Sequence, residues 1–185
     1  MGEQHKKHNR REHLNDFHLN IAGEYVYDGA LYACQSDDTK QRRSKRAVWG
    51  MAAILTVAVA AGGCIPAPGM QNCFYVLLPY LGEFLGAASV IWALAKLGMD
   101  WGMVREYNYK KSVAVLPVRT AVTAVFSLLG IVCELIFFFV NDHAGQTFFA
   151  LLYVLLKLIA LLSVLVLRAE IMQAEWGKLP KKDNS

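Results

Sequence analysis

Residues 148–167 read FFALLYVLLKLIALLSVLVL, a run of 20 residues in which Lys157 is the only charged side chain. A helix needs roughly 20 predominantly apolar residues to cross the hydrocarbon of a bilayer, which is about 30 Å thick. Backbone amides and carbonyls in lipid must be satisfied within the segment itself. The run therefore predicts a membrane-spanning helix.

Three further stretches share this length and apolar character, at about 47–65, 73–97 and 119–140. None of the four stretches has the strict polar–apolar alternation of a barrel strand. The sequence thus predicts an all-α integral membrane protein, with a four-helix transmembrane bundle over 47–167. A basic and aromatic tail (1–46) precedes the bundle, and a short tail (168–185) follows it.

The composition of the chain agrees with this fold class. Of the 185 residues, 55% are hydrophobic and 18% are charged, whereas a soluble domain carries about 25% charged residues. The composition excludes a soluble enzyme, a disordered chain and a nucleic-acid-binding module. It leaves a small multi-pass membrane protein with the lipid bilayer as its first partner.

The distribution of Lys and Arg predicts the orientation. Eighteen of the 19 basic residues lie in the N-terminal tail, the loop between the second and third spans with its flanks, or the C-terminal tail, and the remaining one is Lys157. Loops rich in Lys and Arg stay in the cytoplasm. We therefore expect both termini to be cytoplasmic, with the chain in the plasma (inner) membrane.

A short hairpin is one interpretation of residues 24–33, EYVYDGALYA. Asp28 and Gly29 supply the positive φ angles of a type I′ turn. In that register Tyr25 faces Tyr32, and Val26 faces Leu31. The alternative is a tyrosine-rich linker without strands.

Two cytoplasmic segments carry features suited to the membrane surface. The first is a membrane-surface basic cluster just before the first span, formed by Lys40, Arg42, Arg43, Lys45 and Arg46. Each such residue contributes about 1 kcal/mol near an anionic leaflet. The second is the 98–118 loop, where aromatic and basic residues alternate, which predicts an interfacial helix or elbow. Its sharper interpretation is a docking surface for a cytoplasmic partner.

Three ionisable residues fall well inside the predicted spans: Glu83, Glu134 and Lys157. At a rise of about 1.5 Å per residue, each lies roughly 10 to 15 Å from the outer end of its span. We expect them to meet at one level as an intramembrane polar cluster. Charged residues in hydrocarbon are costly and are candidates for function.

Three interpretations of this polar cluster stay open. It can be an interhelical bridge that determines helix register, a proton- or cation-linked transport site, or a contact with the transmembrane helix of a partner. Two carboxylates beside one ammonium can hold one extra proton. The sequence does not decide among these.

The cysteines and the sequence motifs limit the chemistry. Cys64 and Cys73 flank a short outer loop, so an oxidising compartment would allow a disulfide between them. A lipoprotein-type cleavage before Cys64 is the weaker alternative, because some 46 residues would have to precede the apolar core of such a signal. No metal-ligand set, nucleotide fingerprint or nucleophile motif is present. We predict neither a metal nor a cofactor, and no enzymatic activity.

These features favour a non-enzymatic accessory or assembly subunit of a membrane complex. The outer loops are too short for a catalytic domain, and the aromatic and basic surface is cytoplasmic. The alternative is a small secondary transporter with Glu83, Glu134 and Lys157 as its coupling site. Four spans are few for a transport pathway, so this alternative requires a homo-oligomer.

Overall fold

The structure is a computed structural model that describes residues 17–19, 25–27, 29–98, 101–141 and 147–179. The fold is mostly helical, with a small three-stranded sheet. Its helices are α1 (Asp38–Cys64), α2 (Pro68–Asn72), α3 (Phe74–Leu97), α4 (Glu106–Lys111), α5 (Leu116–Val140) and α6 (Thr147–Gln173). Its strands are β1 (Phe17–Leu19), β2 (Tyr25–Tyr27), β3 (Leu31–Cys34), β4 (Val104–Arg105) and β5 (Trp176–Lys178).

Four helical segments are long and apolar enough to cross a membrane: α1, α3, the segment containing α4 and α5, and α6. Two of them extend beyond the predicted spans. Helix α1 begins nine residues before the predicted start at residue 47, and α6 ends six residues after the predicted end at residue 167. Lys, Arg and Gln are good helix formers. The helices therefore continue past the apolar stretch that the hydropathy pattern detects.

The long helices form a bundle in which α1 packs on α6, α6 on α5, and α5 on α3. A shorter interface between α1 and α3 closes the bundle. This order places α3 and α6 at opposite corners. A side chain from one of them reaches the other only through the centre of the bundle.

Helices α3 and α5 approach each other closely through glycines. A Cβ added at Gly86 would lie 2.6 Å from Oγ1 of Thr123 and 3.3 Å from its Cα. A Cβ added at Gly82 would overlap the ring of Phe126. Small residues let two helices pack at short range. The row that contains Gly82 and Gly86 thus serves packing within the chain.

The three-stranded sheet lies at one end of the bundle, which we call the sheet end; the opposite end is the loop end. Its strand order is β4-β3-β5, and both pairings are antiparallel. The segments before α1, between α3 and α5, and after α6 each contribute one strand. All three therefore lie at the same end of the bundle.

The sheet carries an aromatic cluster formed by Tyr32, Trp101, Tyr109 and Trp176. The rings of Tyr32 and Tyr109 stack with centroids 4.2 Å apart, and the Trp101 and Trp176 rings are 5.7 Å apart. This cluster packs on apolar side chains from the ends of the helices. It links the 98–118 loop, which contains β4 and α4, to both terminal segments.

The predicted hairpin at Asp28 and Gly29 is wrong. Residue Tyr25 pairs with Leu19 in a separate β1–β2 ladder, whereas Tyr32 pairs with Val104 and Lys178. Strand β3 is the central strand of its sheet, so neither of its edges is free for β2. The all-α prediction describes the bundle but omits this sheet.

The α3–α5 contact predicts a selective response to an added side chain. We expect Gly86→Leu to lower the free energy of unfolding by about 1–3 kcal/mol, because the new side chain must displace Thr123 and the α5 backbone. The matched control is Gly50→Leu, since a Cβ at Gly50 meets nothing within 4 Å. Thermal unfolding in detergent measures both. Equal melting temperatures for the two variants would contradict this packing.

Candidate functional site

The centre of the bundle contains an ion pair between Glu83 of α3 and Lys157 of α6. The Nζ of Lys157 donates to Oε2 of Glu83, and both residues are buried: 2% of the surface of Lys157 and 0% of that of Glu83 is exposed. The hydroxyl of Ser127 on α5 donates to Oε1 of Glu83 at 2.6 Å. Both carboxylate oxygens are thus satisfied, as burial of a charge requires.

This ion pair crosses the diagonal of the bundle, because α3 and α6 occupy opposite corners. Gly130 on α5 leaves room for the lysine: a Cβ there would lie 3.6 Å from both Nζ and Cε of Lys157. With Ser127 and Gly130 on adjacent turns, α5 contacts both partners of the pair. Three of the four long helices therefore meet at this one interaction.

Two tyrosine rings complete the surroundings of the ammonium group. The Nζ of Lys157 lies 4.7 Å from the ring centroid of Tyr80 and 5.2 Å from that of Tyr153. Cation–π attraction of this kind stabilises a desolvated cation. We did not predict a role for either tyrosine, although Tyr80 is three residues from Glu83 and Tyr153 four from Lys157. That spacing places each on the same helix face as its charged neighbour.

Glu134 lies apart from the ion pair. It follows Ser127 by seven residues on α5, which places it about 10 Å farther toward the loop end. It is fully buried, and a Cβ at Gly69 of α2 would overlap its carboxylate. Among the residues that the structure describes, it forms no ion pair, and the hydrogen-bond donor beside its carboxylate is the backbone N–H of Gly69, in a geometry outside the ordinary range.

The polar side chains of α5 form a row through the bundle. Thr120, Thr123, Ser127 and Glu134 are all fully buried, and their spacing of three, four and seven residues places them on one face. The threonine hydroxyls donate to carbonyls one turn earlier on the same helix, at 2.9 Å and 2.8 Å. This face is directed at α3 and α6, where the ion pair lies.

The remaining predicted site residues lie at the two ends of the bundle. The membrane-surface basic cluster lies in the first turns of α1. At the loop end, Cys64 and Cys73 are free thiols, and Cys64 is exposed. The disulfide between them stays a prediction.

The described part of the chain contains no group of three His, Cys, Asp or Glu side chains that could hold a metal ion. The histidines that the sequence places at positions 5, 8 and 13 lie outside the described residues. The buried side chains that remain are suited to two kinds of chemistry. They can hold helices together, and they can hold an exchangeable proton on the unpaired carboxylate.

Comparison with known proteins identifies no relative: no family model, curated protein or solved structure matches this chain. The geometry of the chain itself therefore carries the functional argument.

The ion pair predicts strong coupling between its two partners. We expect Glu83→Gln and Lys157→Met each to lower the free energy of unfolding by about 3–5 kcal/mol, because each leaves the other charge buried and unpaired. The double variant should recover most of that loss, since it buries no charge at this position. Chemical unfolding in mixed micelles measures all three.

The control for this cycle combines Lys157→Met with Glu175→Gln, which neutralises an exposed carboxylate away from the pair. That double variant should be as unstable as Lys157→Met alone. Additive losses for Glu83→Gln and Lys157→Met would show that the two side chains are not coupled.

Proposed function

We propose that this chain is an integral membrane protein that crosses the plasma (inner) membrane four times, with both terminal segments in the cytoplasm. The distribution of side chains supports the proposal. The interior buries Glu83, Glu134 and Lys157, whereas the helix surfaces expose large apolar side chains such as Leu85 and Phe139. Water disfavours an apolar surface this extensive, and lipid accommodates it.

The function that we propose is that of a non-enzymatic accessory or assembly subunit of a membrane complex. One observation carries it: three distant chain segments combine into a single sheet at the sheet end. This sheet and its aromatic cluster form a larger folded surface than is needed to connect four helices. We expect a larger membrane partner to contact this surface.

The closed interior agrees with a structural role. Lys157 and Ser127 satisfy both carboxylate oxygens of Glu83 without a bound solute. The exposed side chains at the sheet end include Met103 and Tyr107, which are 68% and 40% exposed. Methionine and tyrosine are enriched where proteins meet. We therefore place the partner at the sheet end.

The accessory role predicts cross-linking confined to one end of the molecule. We expect a photo-cross-linking side chain at position 103 to capture one protein species in native membranes at natural expression. The same group at position 139, which is exposed at the loop end of α5, is the control and should capture mainly lipid. Denaturing gels and mass spectrometry read out both positions. Purification in mild detergent that yields only this chain, with no stoichiometric partner, would contradict the role.

A second candidate function rests on Glu134. A buried carboxylate with no ion-pair partner and only a backbone N–H beside it is costly to keep charged, so it would hold a proton and exchange it when the surroundings change. Glu134 and the threonines of α5 form a polar row at helical spacing, and Ser127 connects this row to the ion pair. These features support proton-linked transport by an oligomer of this chain, with the Glu–Lys pair as its coupling site.

Proton-linked transport predicts that Glu134→Gln abolishes proton movement. The protein would be reconstituted in liposomes that contain a pH-sensitive dye, and an imposed pH gradient would drive the flux. We expect wild-type protein to dissipate the gradient and Glu134→Gln to stay at the rate of empty liposomes, with an unchanged melting temperature. The control, Glu175→Gln, should behave as wild type. Absence of flux with the wild-type chain would remove this candidate.

A further inference from the structure

A cavity of about 350 Å³ opens at the sheet end, between the start of α1 and the end of α6. Its α1 side carries Lys40, Arg43 and Ser44, whose spacing of three and four residues places them on one helix face. The rest of the polar lining comes from Gln41 on α1, Ser36 just before α1, and Glu170 and Gln173 near the end of α6. The cavity is thus surrounded by hydrogen-bond donors from three parts of the chain.

The two cations of this cavity have no partner of their own. In the part of the chain that the structure describes, neither Lys40 nor Arg43 forms an ion pair or a side-chain hydrogen bond. Glu170 is the only carboxylate in the lining, so the cavity carries a net positive charge. Unpaired cations that converge on a concave site favour an anionic ligand.

We infer that this cavity binds a phosphate group, carried by an anionic membrane lipid or by a small soluble molecule. An Arg guanidinium matches phosphate oxygens with two parallel hydrogen bonds, and a Lys ammonium adds a point charge. The hydroxyls of Ser36 and Ser44 and the Gln173 amide supply neutral donors. The cavity volume is at the small end of the range for ligand sites, which suits a headgroup and not a large metabolite.

The position of the cavity suits a lipid headgroup. Arg43 precedes the first apolar residue of the predicted span, Ala47, by four residues, or about 6 Å along the helix. Headgroup phosphates lie at this level beside a spanning helix. The lipid source rests on the membrane placement proposed above, whereas phosphate binding itself does not.

Cys34 provides a probe, since it is a half-buried residue of the cavity lining. The other three cysteines would be changed to alanine (Cys64→Ala, Cys73→Ala, Cys133→Ala), which leaves Cys34 as the only thiol. The full chain would be placed in phosphatidylcholine nanodiscs with or without phosphatidylglycerol, and the rate of Cys34 alkylation by an uncharged maleimide would be measured. We expect phosphatidylglycerol to slow the reaction.

Two double variants separate a specific cavity from diffuse surface charge. Lys40→Gln with Arg43→Gln removes both cations of the cavity, and we expect it to weaken protection at least about tenfold, because each lost charged hydrogen bond costs more than one power of ten in affinity. Arg42→Gln with Arg46→Gln removes the same charge from residues of the basic cluster outside the lining, and should weaken protection clearly less, since it lowers only the general attraction of the anionic leaflet. Equal loss in the two variants would overturn the inference.

The source of the phosphate is decided by a separate titration. Inorganic phosphate added to phosphatidylcholine nanodiscs tests the soluble source, and protection there, lost with Lys40→Gln and Arg43→Gln, would identify a soluble phosphate compound. Protection with phosphatidylglycerol alone would identify a lipid. Absence of protection under both conditions would overturn the inference. Equal alkylation rates of all variants in pure phosphatidylcholine verify that the substitutions leave the sheet end folded. The result does not depend on the partner cross-linking proposed above, which could fail without affecting it.

Discussion

The ion pair between Glu83 and Lys157 is the constraint on which the arrangement of the bundle depends. Removing two charges from water is costly, and the cost is offset only when the partners meet with good geometry and their remaining hydrogen-bonding groups are satisfied. Here the Ser127 hydroxyl donates to the second carboxylate oxygen, and two tyrosine rings lie beside the ammonium group. Since a buried ion pair seldom stabilises a fold more than a packed apolar pair does, we expect its main effect to be on which helices face one another.

The geometry of this pair also explains features around it. Lys157 reaches α3 across the diagonal, so α5 must carry a residue without a side chain beside it, and Gly130 is at that position. Helices α3 and α5 must lie close together, as Gly82 and Gly86 permit. The second carboxylate, Glu134, lies one helical turn beyond Gly130 on α5, close enough to interact with the charge of Lys157, but it contacts Gly69 of α2 and forms no hydrogen bond with the lysine.

The two ends of the molecule differ in construction. The sheet end joins three segments through backbone pairing and an aromatic cluster, and it carries the basic turns of α1. The sequence already indicates aromatic and basic residues there, and it predicts that residues 25–27 and 30–32 favour strands; β2 covers the first run and β3 begins within the second. The predicted pairing is wrong, since β3 has partners more than 70 residues away in β4 and more than 140 away in β5. A turn motif indicates only how the residues next to it pair. The partners of a central strand depend instead on which distant segments pack along its two edges.

By itself the sequence determined four apolar helical segments, the grouping of nearly all cations in three connections, and three ionisable residues deep in those segments. Hydropathy and charge are local properties, so they can be read residue by residue. Only the tertiary structure decided that Lys157 pairs with Glu83 and not with Glu134, that β3 lies between β4 and β5, and that Lys40 and Arg43 border a cavity. These features depend on contacts between residues far apart in the chain; Glu83 and Lys157, for example, are separated by 74 positions. Such residues come together only when the helices and strands pack.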